Sequence, residues 1–303
     1  MRFLVTGAAG FIGSAFVKYI LNKKDHQIIG VDKLTYSGNL DSLTDVLKND
    51  SFHFEKEDIC NGKNLEKIFS KYQPDKVINL AAESHVDSSI ENPGTFFQTN
   101  VIGTLSLLNC ALKYYKNLDY IKSKNFLFLH VSTDEVFGEL KSEDSPFSED
   151  SPYKPNSPYS ASKASSDHLV RAWNKTYGLP TITTNCSNNY GPFQYPEKLI
   201  PNMITRGLES RPMPIYGDGS QIRDWIFVND HVEVLAKLVC DYEVGQKEFV
   251  IGGNNEIRNL DLVGSICSIL DKKMPRKRPY SDLITFVRDR PAHDRRYAID
   301  IAR

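Results

Sequence analysis

The sequence predicts an α/β fold, a doubly wound parallel sheet joined to a smaller irregular α/β lobe. Three observations predict it. Short β-branched runs alternate with longer helical patterns through the first half. The strands read as near-continuous apolar runs, as expected for a parallel sheet covered on both faces. From about residue 145 the texture changes to short elements separated by proline and glycine.

Residues 2–6 (RFLVT) form the first strand, and residues 11–23 place Phe11, Ala15 and Ile20 at helical spacing. Strands follow at 27–32 (QIIGVD) and, more weakly, at 51–58. Residues 64–72 are helical and stop before Pro74. Residues 76–82 (KVINLAA) are a strand. Residues 95–115 make a long amphipathic helix, with Phe97, Val101, Leu105, Leu108 and Leu112 on one stripe. The apolar run from Phe126 ends in Ser132, Thr133, Asp134 and Glu135. A proline- and serine-rich passage then leads to a helix beginning near Tyr159. Alternation of this kind implies right-handed βαβ units. We place the dinucleotide-binding domain at residues 1–180 and the substrate lobe mainly at 181–303, with some segments returning to the first domain.

The first strand–helix junction is TGAAGFIG, with Gly7, Gly10 and Gly13. Glycines there allow a tight turn, close approach of a pyrophosphate and close helix–strand contact. The second strand ends in Asp32, where an acid accepts from ribose hydroxyls and would repel the extra phosphate of NADP. An ordinary βαβ turn is the alternative. The pattern is that of a Rossmann-type NAD site. Its spacing, G-x-x-G-x-x-G, resembles the extended short-chain dehydrogenase/reductase superfamily, which also requires Tyr-x-x-x-Lys.

YSASK supplies that pair as Tyr159 and Lys163, one helical turn apart. A free tyrosine has a pKa of about 10, and a neighbouring ammonium with a positive nicotinamide ring would favour its phenolate. Tyr159 could then take a hydroxyl proton as hydride leaves for NAD, and Lys163 would hold the nicotinamide ribose. A chance surface pair is the alternative. The superfamily uses a serine or threonine at the preceding strand end, so Thr133 is expected to bind the reacting hydroxyl, with Ser132 second.

Asp134 and Glu135 need a further explanation. If the oxidised hydroxyl is at carbon-4 of a hexose, the ketone acidifies the carbon-5 proton. One carboxylate can remove it, and one carboxylic acid can protonate the departing carbon-6 hydroxyl. Two crowded carboxyls favour that split ionisation. Adjacent strand residues point to opposite faces, so both reach one substrate only if the chain turns after Thr133. The alternative is that one acid caps the next segment.

The segments STDEVFGE, AAESHVD, NCSNNYGPFQYPEKLIP, IYGDGSQIRDWIFVNDH, IGGNNEIRNLDLV and DRPAHDRRYAID resemble the nucleotide-sugar 4,6-dehydratases along nearly the whole chain. The resemblance implies Asp134 as general acid and Glu135 as general base, beside Thr133, Tyr159 and Lys163. It implies a bound NAD on Gly7, Gly10, Phe11, Ile12, Gly13, Asp32, Lys33, Thr35, Asp58, Ile59, Leu80, Ala81, Ala82 and Thr99, together with Tyr159 and Lys163. It implies a nucleotide sugar, dTDP-glucose, on Ser84, His85, Thr133, Asn188, Lys198, Leu199, Arg223, Asn259, Arg290 and His293. For His85 a structural role is the alternative, and for Lys198, Arg223 and Arg290 a plain surface cation is. UDP- or CDP-glucose dehydration, 4-epimerisation on the same scaffold, and a non-enzymatic NAD sensor are the competing functions. The long helices at 95–115 and 159–177 resemble the family's dimer-forming pair, so the resemblance implies a homodimer. Three departures stand out: Ser88 for the usual arginine, Ala292 for the usual glycine, and an end at Arg303 where the family continues.

Composition sets the remaining bounds. The 303 residues carry 37 basic and 38 acidic side chains, a formal charge of −1 that gives no argument for nucleic acid or an anionic membrane. The basic stretch at 272–278 reads as a solvated loop. Five scattered cysteines form no CxxC pair, which argues against a metal site or disulfide framework and for a reducing, cytoplasmic setting. No apolar run is long enough to span a membrane.

Overall fold

The computed structural model describes residues 1–303 except 24, 242–244, 246 and 303, so the Arg303 end lies outside the described residues. Its strands are β1 Arg2–Thr6, β2 Gln27–Asp32, β3 Phe52–Lys56, β4 Lys76–Asn79, β5 Leu127–Thr133, β6 Thr181–Cys186, β7 Asn188–Tyr190, β8 Met213–Tyr216, β9 Ile222–Phe227, β10 Glu248–Ile251, β11 Glu256–Arg258 and β12 Ile284–Val287. Seven of them form one sheet in the order β10-β6-β5-β4-β1-β2-β3. Every pairing in it is parallel. The chain runs outward from β1 to β3, then returns to the other side of β1 at β4. That reversal opens a crevice beyond the strand ends, where such sheets bind ligands.

Alternate residues of each strand feed two cores. On one face Phe3, Val5 and Ile28 pack with Phe16, Val17 and Ile20 of helix Phe11–Leu21 and with Val232, Leu235 and Val239 of helix Val228–Cys240. On the other, Leu4, Ile29, Val77 and Phe128 pack with Leu65, Phe69, Leu107, Leu108 and Val170. These come from helices Gly62–Tyr72, Thr104–Lys116 and Pro158–Tyr177. Full burial of each such side chain contributes roughly 1.5–3 kcal/mol. Strand β5 is buried at all seven positions, which explains an apolar run interrupted before Ser132 only by His130.

The sheet takes β6 and β10 from beyond residue 180. The smaller lobe holds the β11-β9-β7 sheet and the β12-β8 pair. Its own core is Met203, Met213, Ile215, Val263, Ile266, Leu270 and Tyr280.

Two elements differ from expectation. Strand β4 ends at Asn79, and residues 80–84 leave the ladder to line cavity walls. The long helix is interrupted by a π-helical segment, Phe97–Gly103. The wider π turn shifts the phase, so the expected stripe holds only in its second half: Leu108 is buried and Leu112 packs against the same core, but Phe97 is 41% exposed, while Phe96, Thr99, Asn100, Gly103 and Thr104 are buried. The shift turns Thr99 and Asn100 inward. Asn100 then clamps the Glu83 backbone from both sides, accepting from its amide at 2.9 Å and donating to its carbonyl at 3.0 Å.

Candidate active site

At the end of β5 the chain turns. Thr133 Oγ1 accepts from the Glu135 amide at 3.3 Å and caps a single 3-10 turn, Asp134–Phe137. Such a turn has about three residues per revolution, so successive side chains diverge by roughly 120° rather than pointing to opposite faces. Gly138 closes it at φ +86°, where a Cβ would stand 2.4 Å from the Lys154 carbonyl oxygen. Asp134 and Glu135 thereby line one cleft with Thr133, Tyr159 and Lys163. Neither acid caps this turn; the cap is Thr133 itself.

The same cleft receives the helix Pro158–Tyr177. Ser157 and Ser160 form a capping box, and Pro158 occupies the first turn. This fixed start places Tyr159 and Lys163 one turn apart against β5. Lys163 Nζ donates to the Val131 carbonyl at 2.8 Å.

Burial and neighbouring charge split the two acids. Burial pushes the Asp134 carboxyl well above the usual range, the Glu135 charge adds to this, and Arg223 opposes it. Glu135 is also raised by burial, but Arg290, Arg223 and Lys198 all pull it back. The pair therefore holds its proton on Asp134. Asp134 Oδ1 accepts from the Thr133 hydroxyl at 3.2 Å, whereas its buried Oδ2 has no hydrogen-bond partner. A buried carboxyl oxygen without a partner is costly unless a ligand meets it.

In the protein alone the Tyr159 phenol is pushed well above its ordinary value, by burial first and by Glu135 next. Burial also lowers Lys163, with Asp167 opposing that shift. The lysine does not by itself produce a phenolate, because desolvation outweighs it.

The glycine cradle fits a dinucleotide. Gly7 adopts φ +67°, and a Cβ there would lie 2.7 Å from the Ala81 amide nitrogen. A Cβ on Gly13 would lie 2.0 Å from the Gly7 carbonyl oxygen. Gly10, Phe11, Ile12 and Gly13 line the catalytic cleft at the start of the first helix. An adjoining cavity is lined by Asp32, Lys33, Thr35, Asp58 and Ile59, and by Leu80, Ala81, Ala82 and Thr99. Asp32 is fixed by the Ala9 amide at 3.0 Å and the Leu34 amide at 2.8 Å. A carboxylate has about four acceptor sites, so two remain for hydroxyl donors. Lys33 Nζ donates to Thr99 Oγ1 at 3.1 Å and lies 3.6 Å from Glu83.

Of the expected sugar-nucleotide residues, Ser84, Asn188 and Lys198 line the cleft with Thr133. Lys198 Nζ donates to the Ser84 carbonyl at 2.6 Å. Leu199 follows directly and opens the helix Leu199–Leu208. His85, Leu199, Arg223, Asn259, Arg290 and His293 are not among the lining residues of that cleft. His85 caps the short helix Val86–Glu91, its Nδ1 accepting from the Ser88 amide at 3.2 Å, so Ser88 engages its ring.

Arg223, Arg290 and His293 belong to a polar cluster beside the acids. Arg223 donates to the Asp294 carbonyl at 2.8 Å and stacks 4.2 Å above the Tyr297 ring. Arg290 lies 3.5 Å from Asp87, and its Nε is buried without a partner, as is Asn259 Oδ1. His293 pairs with Asp289 at 2.6 Å. Between them Ala292 sits at φ +49°, the left-handed conformation that glycine adopts at less cost.

Sequence reasoning missed Cys186, Ser187 and Asn189 in the cleft, and Ser37 and Gly38 in the adjoining cavity. The rule that ligands gather at strand ends points to Cys186–Asn189, since β6 stops at Cys186. Gly38 gave a weaker signal: a Cβ there would lie 2.9 Å from Asp32 Oδ1.

Comparison with known proteins agrees with this geometry. A family model described as GDP-mannose 4,6 dehydratase matches residues 4–303. A dTDP-glucose 4,6-dehydratase of Neisseria meningitidis serogroup B is 54% identical over 306 residues, covering 100% of this chain and 86% of that protein. One from Salmonella typhimurium is 52% identical over 308 residues, covering 99% and 85%. The crystal structure of DesIV, a dTDP-glucose 4,6-dehydratase from Streptomyces venezuelae with NAD and TYD bound, superposes with a TM-score of 0.88 at 39% identity, covering 99% of this chain and 88% of that one. A glycine cradle, a Tyr–Lys pair and two acids on one turn, in a chain matched from residue 4 to 303, have one common source: the chain belongs to the GDP-mannose 4,6 dehydratase family.

Proposed function

We propose that this chain converts dTDP-glucose to dTDP-4-keto-6-deoxyglucose, with NAD held through the cycle. The observation that carries the reading is the 3-10 turn after Thr133, which lines one cleft with both acids. The names of the relatives support it. When bound, NAD would supply the hydride acceptor for carbon-4 and the hydride donor for carbon-6, and its positive ring would offset the burial that holds Tyr159 as a phenol. The glycine cradle and the cavity around Asp32 hold it. Thr133 binds the 4-hydroxyl, and Tyr159 accepts its proton. Lys163 keeps the ribose in place and supplies positive charge. Glu135 takes the carbon-5 proton, and Asp134 protonates the carbon-6 hydroxyl, which leaves as water. Positioned acid–base groups of this kind typically give ~10²–10⁴-fold in rate.

The sugar nucleotide is held by Ser84, His85, Asn188, Lys198 and Leu199, and by Arg223, Asn259, Arg290 and His293. The partnerless Arg290 Nε and Asn259 Oδ1 support a polar ligand there. In this reading residues 1–180 mainly serve NAD and 181–303 mainly the nucleotide sugar. The product feeds deoxysugar synthesis, rhamnose included. A homodimer through the long helices is part of the proposal, supported by exposed Phe97, Ile102 and Tyr177. So is a cytoplasmic setting, supported by five free cysteines.

The test is incubation of the purified protein and NAD with dTDP-, UDP- and CDP-glucose in parallel. A 4-keto product formed fastest from dTDP-glucose is expected. Formation of dTDP-galactose would instead identify an epimerase.

A further inference from the structure

Behind the catalytic cleft lies a closed polar network that the mechanism does not use. Its centre is Asp167, 3% exposed and one turn after Lys163 on the same helix face. Asp167 Oδ2 accepts from the Tyr153 hydroxyl at 3.0 Å and from Asn185 Nδ2 at 3.1 Å. Asn185, on β6 and also 3% exposed, donates from the same nitrogen to the Thr133 carbonyl at 3.1 Å. An amide nitrogen has two hydrogens, so both bonds are satisfied at once. Asp167 Oδ1 lies 3.2 Å from His130 Nε2 but forms no hydrogen bond. The ring is turned to Ser166 Oγ, also at 3.2 Å. Its Nδ1 faces the Asn79 amide nitrogen at 3.1 Å and must accept, so Nε2 carries the hydrogen.

From this arrangement we infer that Asp167 is a positioning residue for both halves of the reaction. Through Asn185 it holds the Thr133 carbonyl where the acid-bearing turn begins. Through its charge it balances the buried Lys163 ammonium, which has one hydrogen bond, to the Val131 carbonyl.

The surrounding groups leave that charge role to Asp167. From β5 comes His130, whose imidazole burial and Lys163 lower while Asp167 opposes them. From β6 comes Cys186, whose thiol burial pushes up to about 12. From the loop before the helix comes Tyr153, whose phenol burial and Asp167 raise. Glu248 of β10 acts on Tyr153 and pairs with Arg171 at 3.8 Å. Among the described residues, the carboxylate that acts on Lys163 is Asp167.

The inference deepens the dehydratase reading, but its first test does not depend on it. Acetylation of Lys163 by acetic anhydride, followed by mass spectrometry across pH in NAD-free protein, reports the neutral amine. Where burial blocks the reagent, the displacement of the alkaline limb of kcat between parent and variant is read instead. Asp167→Asn, nearly isosteric, is expected to fold, to keep KM within about twofold, and to move the midpoint down by about one pH unit, a tenfold change in neutral amine. An unmoved midpoint in the folded variant overturns the charge role. Asn185→Ser keeps the charge and cuts only the bridge, so it serves even if Asp167→Asn does not fold. Its lysine midpoint should stay in place. Its carbon-5 proton exchange should fall roughly tenfold or more relative to NAD reduction, since small misplacements of reacting groups cost up to about 10²-fold. Equal effects on the two half-reactions overturn the bridging role. A parent protein that acetylates as expected but does not turn over dTDP-glucose would refute the functional reading alone.

Discussion

The Glu135 amide donates to the Thr133 hydroxyl at 3.3 Å, and this contact converts a strand end into an acid-bearing turn. The same hydroxyl donates to Asp134 Oδ1 at 3.2 Å. Thr133 thus shapes the turn that carries both acids, and it is also the residue proposed to bind the reacting hydroxyl.

Replacing Thr133 separates these roles from mere bulk. Thr133→Val keeps the shape and removes the cap, costing about 1 kcal/mol of stability. It should lower kcat by roughly 10²-fold, because a reacting hydroxyl loses its partner. Thr133→Ser should stay within about tenfold of the parent. Steady-state kinetics of both variants decide it, and equal rates for valine and serine would be incompatible with the assignment.

Glu135→Gln isolates the base. Oxidation at carbon-4 precedes removal of the carbon-5 proton, so the variant should still reduce bound NAD on adding dTDP-glucose. Exchange of that proton with deuterated solvent should be abolished. Unchanged exchange, followed by mass spectrometry, would sink the role.

Asp134 links the site to stability. Its folded carboxyl binds a proton more tightly than the ordinary Asp value of 3.8 allows. Between that value and the raised folded one, the native state holds a proton that the unfolded state has lost. Stability must therefore fall as pH rises through this window, with no contribution below it. Asp134→Asn removes the ionisable group. Thermal unfolding across pH should show the variant gaining on the parent as pH rises toward neutrality and the gap closing near pH 4. A gap that widens on acidification would contradict the direction of the shift.

Much of this was legible in the chain. Strands β1, β2, β4 and β5 were readable because they are largely buried, which leaves apolar runs such as residues 127–131; β6 (TITTNC) is buried but polar, and the edge strands β3 and β10 are partly exposed. The glycine cradle was readable because backbone contact with Leu80 and Ala81 excludes a Cβ at Gly7. The π segment was not, since apolar spacing assumes a constant 3.6-residue period and Phe97–Gly103 breaks it. Nor was the turn at Thr133, which depends on a side-chain hydroxyl capturing an amide two residues on. The raised Tyr159 phenol of the NAD-free protein was not legible for a third reason. Neighbouring charges can be read from spacing, but desolvation depends on packing that only the folded chain supplies.

Tyr159 should remain a phenol in NAD-free protein beyond pH 10.0, the ordinary value from which burial and Glu135 raise it. The measurement is the tyrosinate absorbance of the parent minus that of Tyr159→Phe during alkaline titration. A difference appearing below pH 9 would mean that Lys163 outweighs burial after all.

Ala292 offers a stability test away from the chemistry. It is exposed and sits at φ +49°, between Arg290 and His293. An L-residue in this region costs roughly 1–2 kcal/mol relative to right-handed backbone, and glycine avoids that cost. Glycine also loses more freedom on folding, which returns about 0.4–1 kcal/mol. Being exposed, the methyl contributes little packing. The net expectation for Ala292→Gly is stabilisation of about 0.5–1 kcal/mol, or a rise in Tm of roughly 1–3 °C for a chain of this size. Differential scanning calorimetry of the two proteins measures it. A lower Tm for the glycine variant would show that conformational freedom in the unfolded chain, not strain at residue 292, controls this loop.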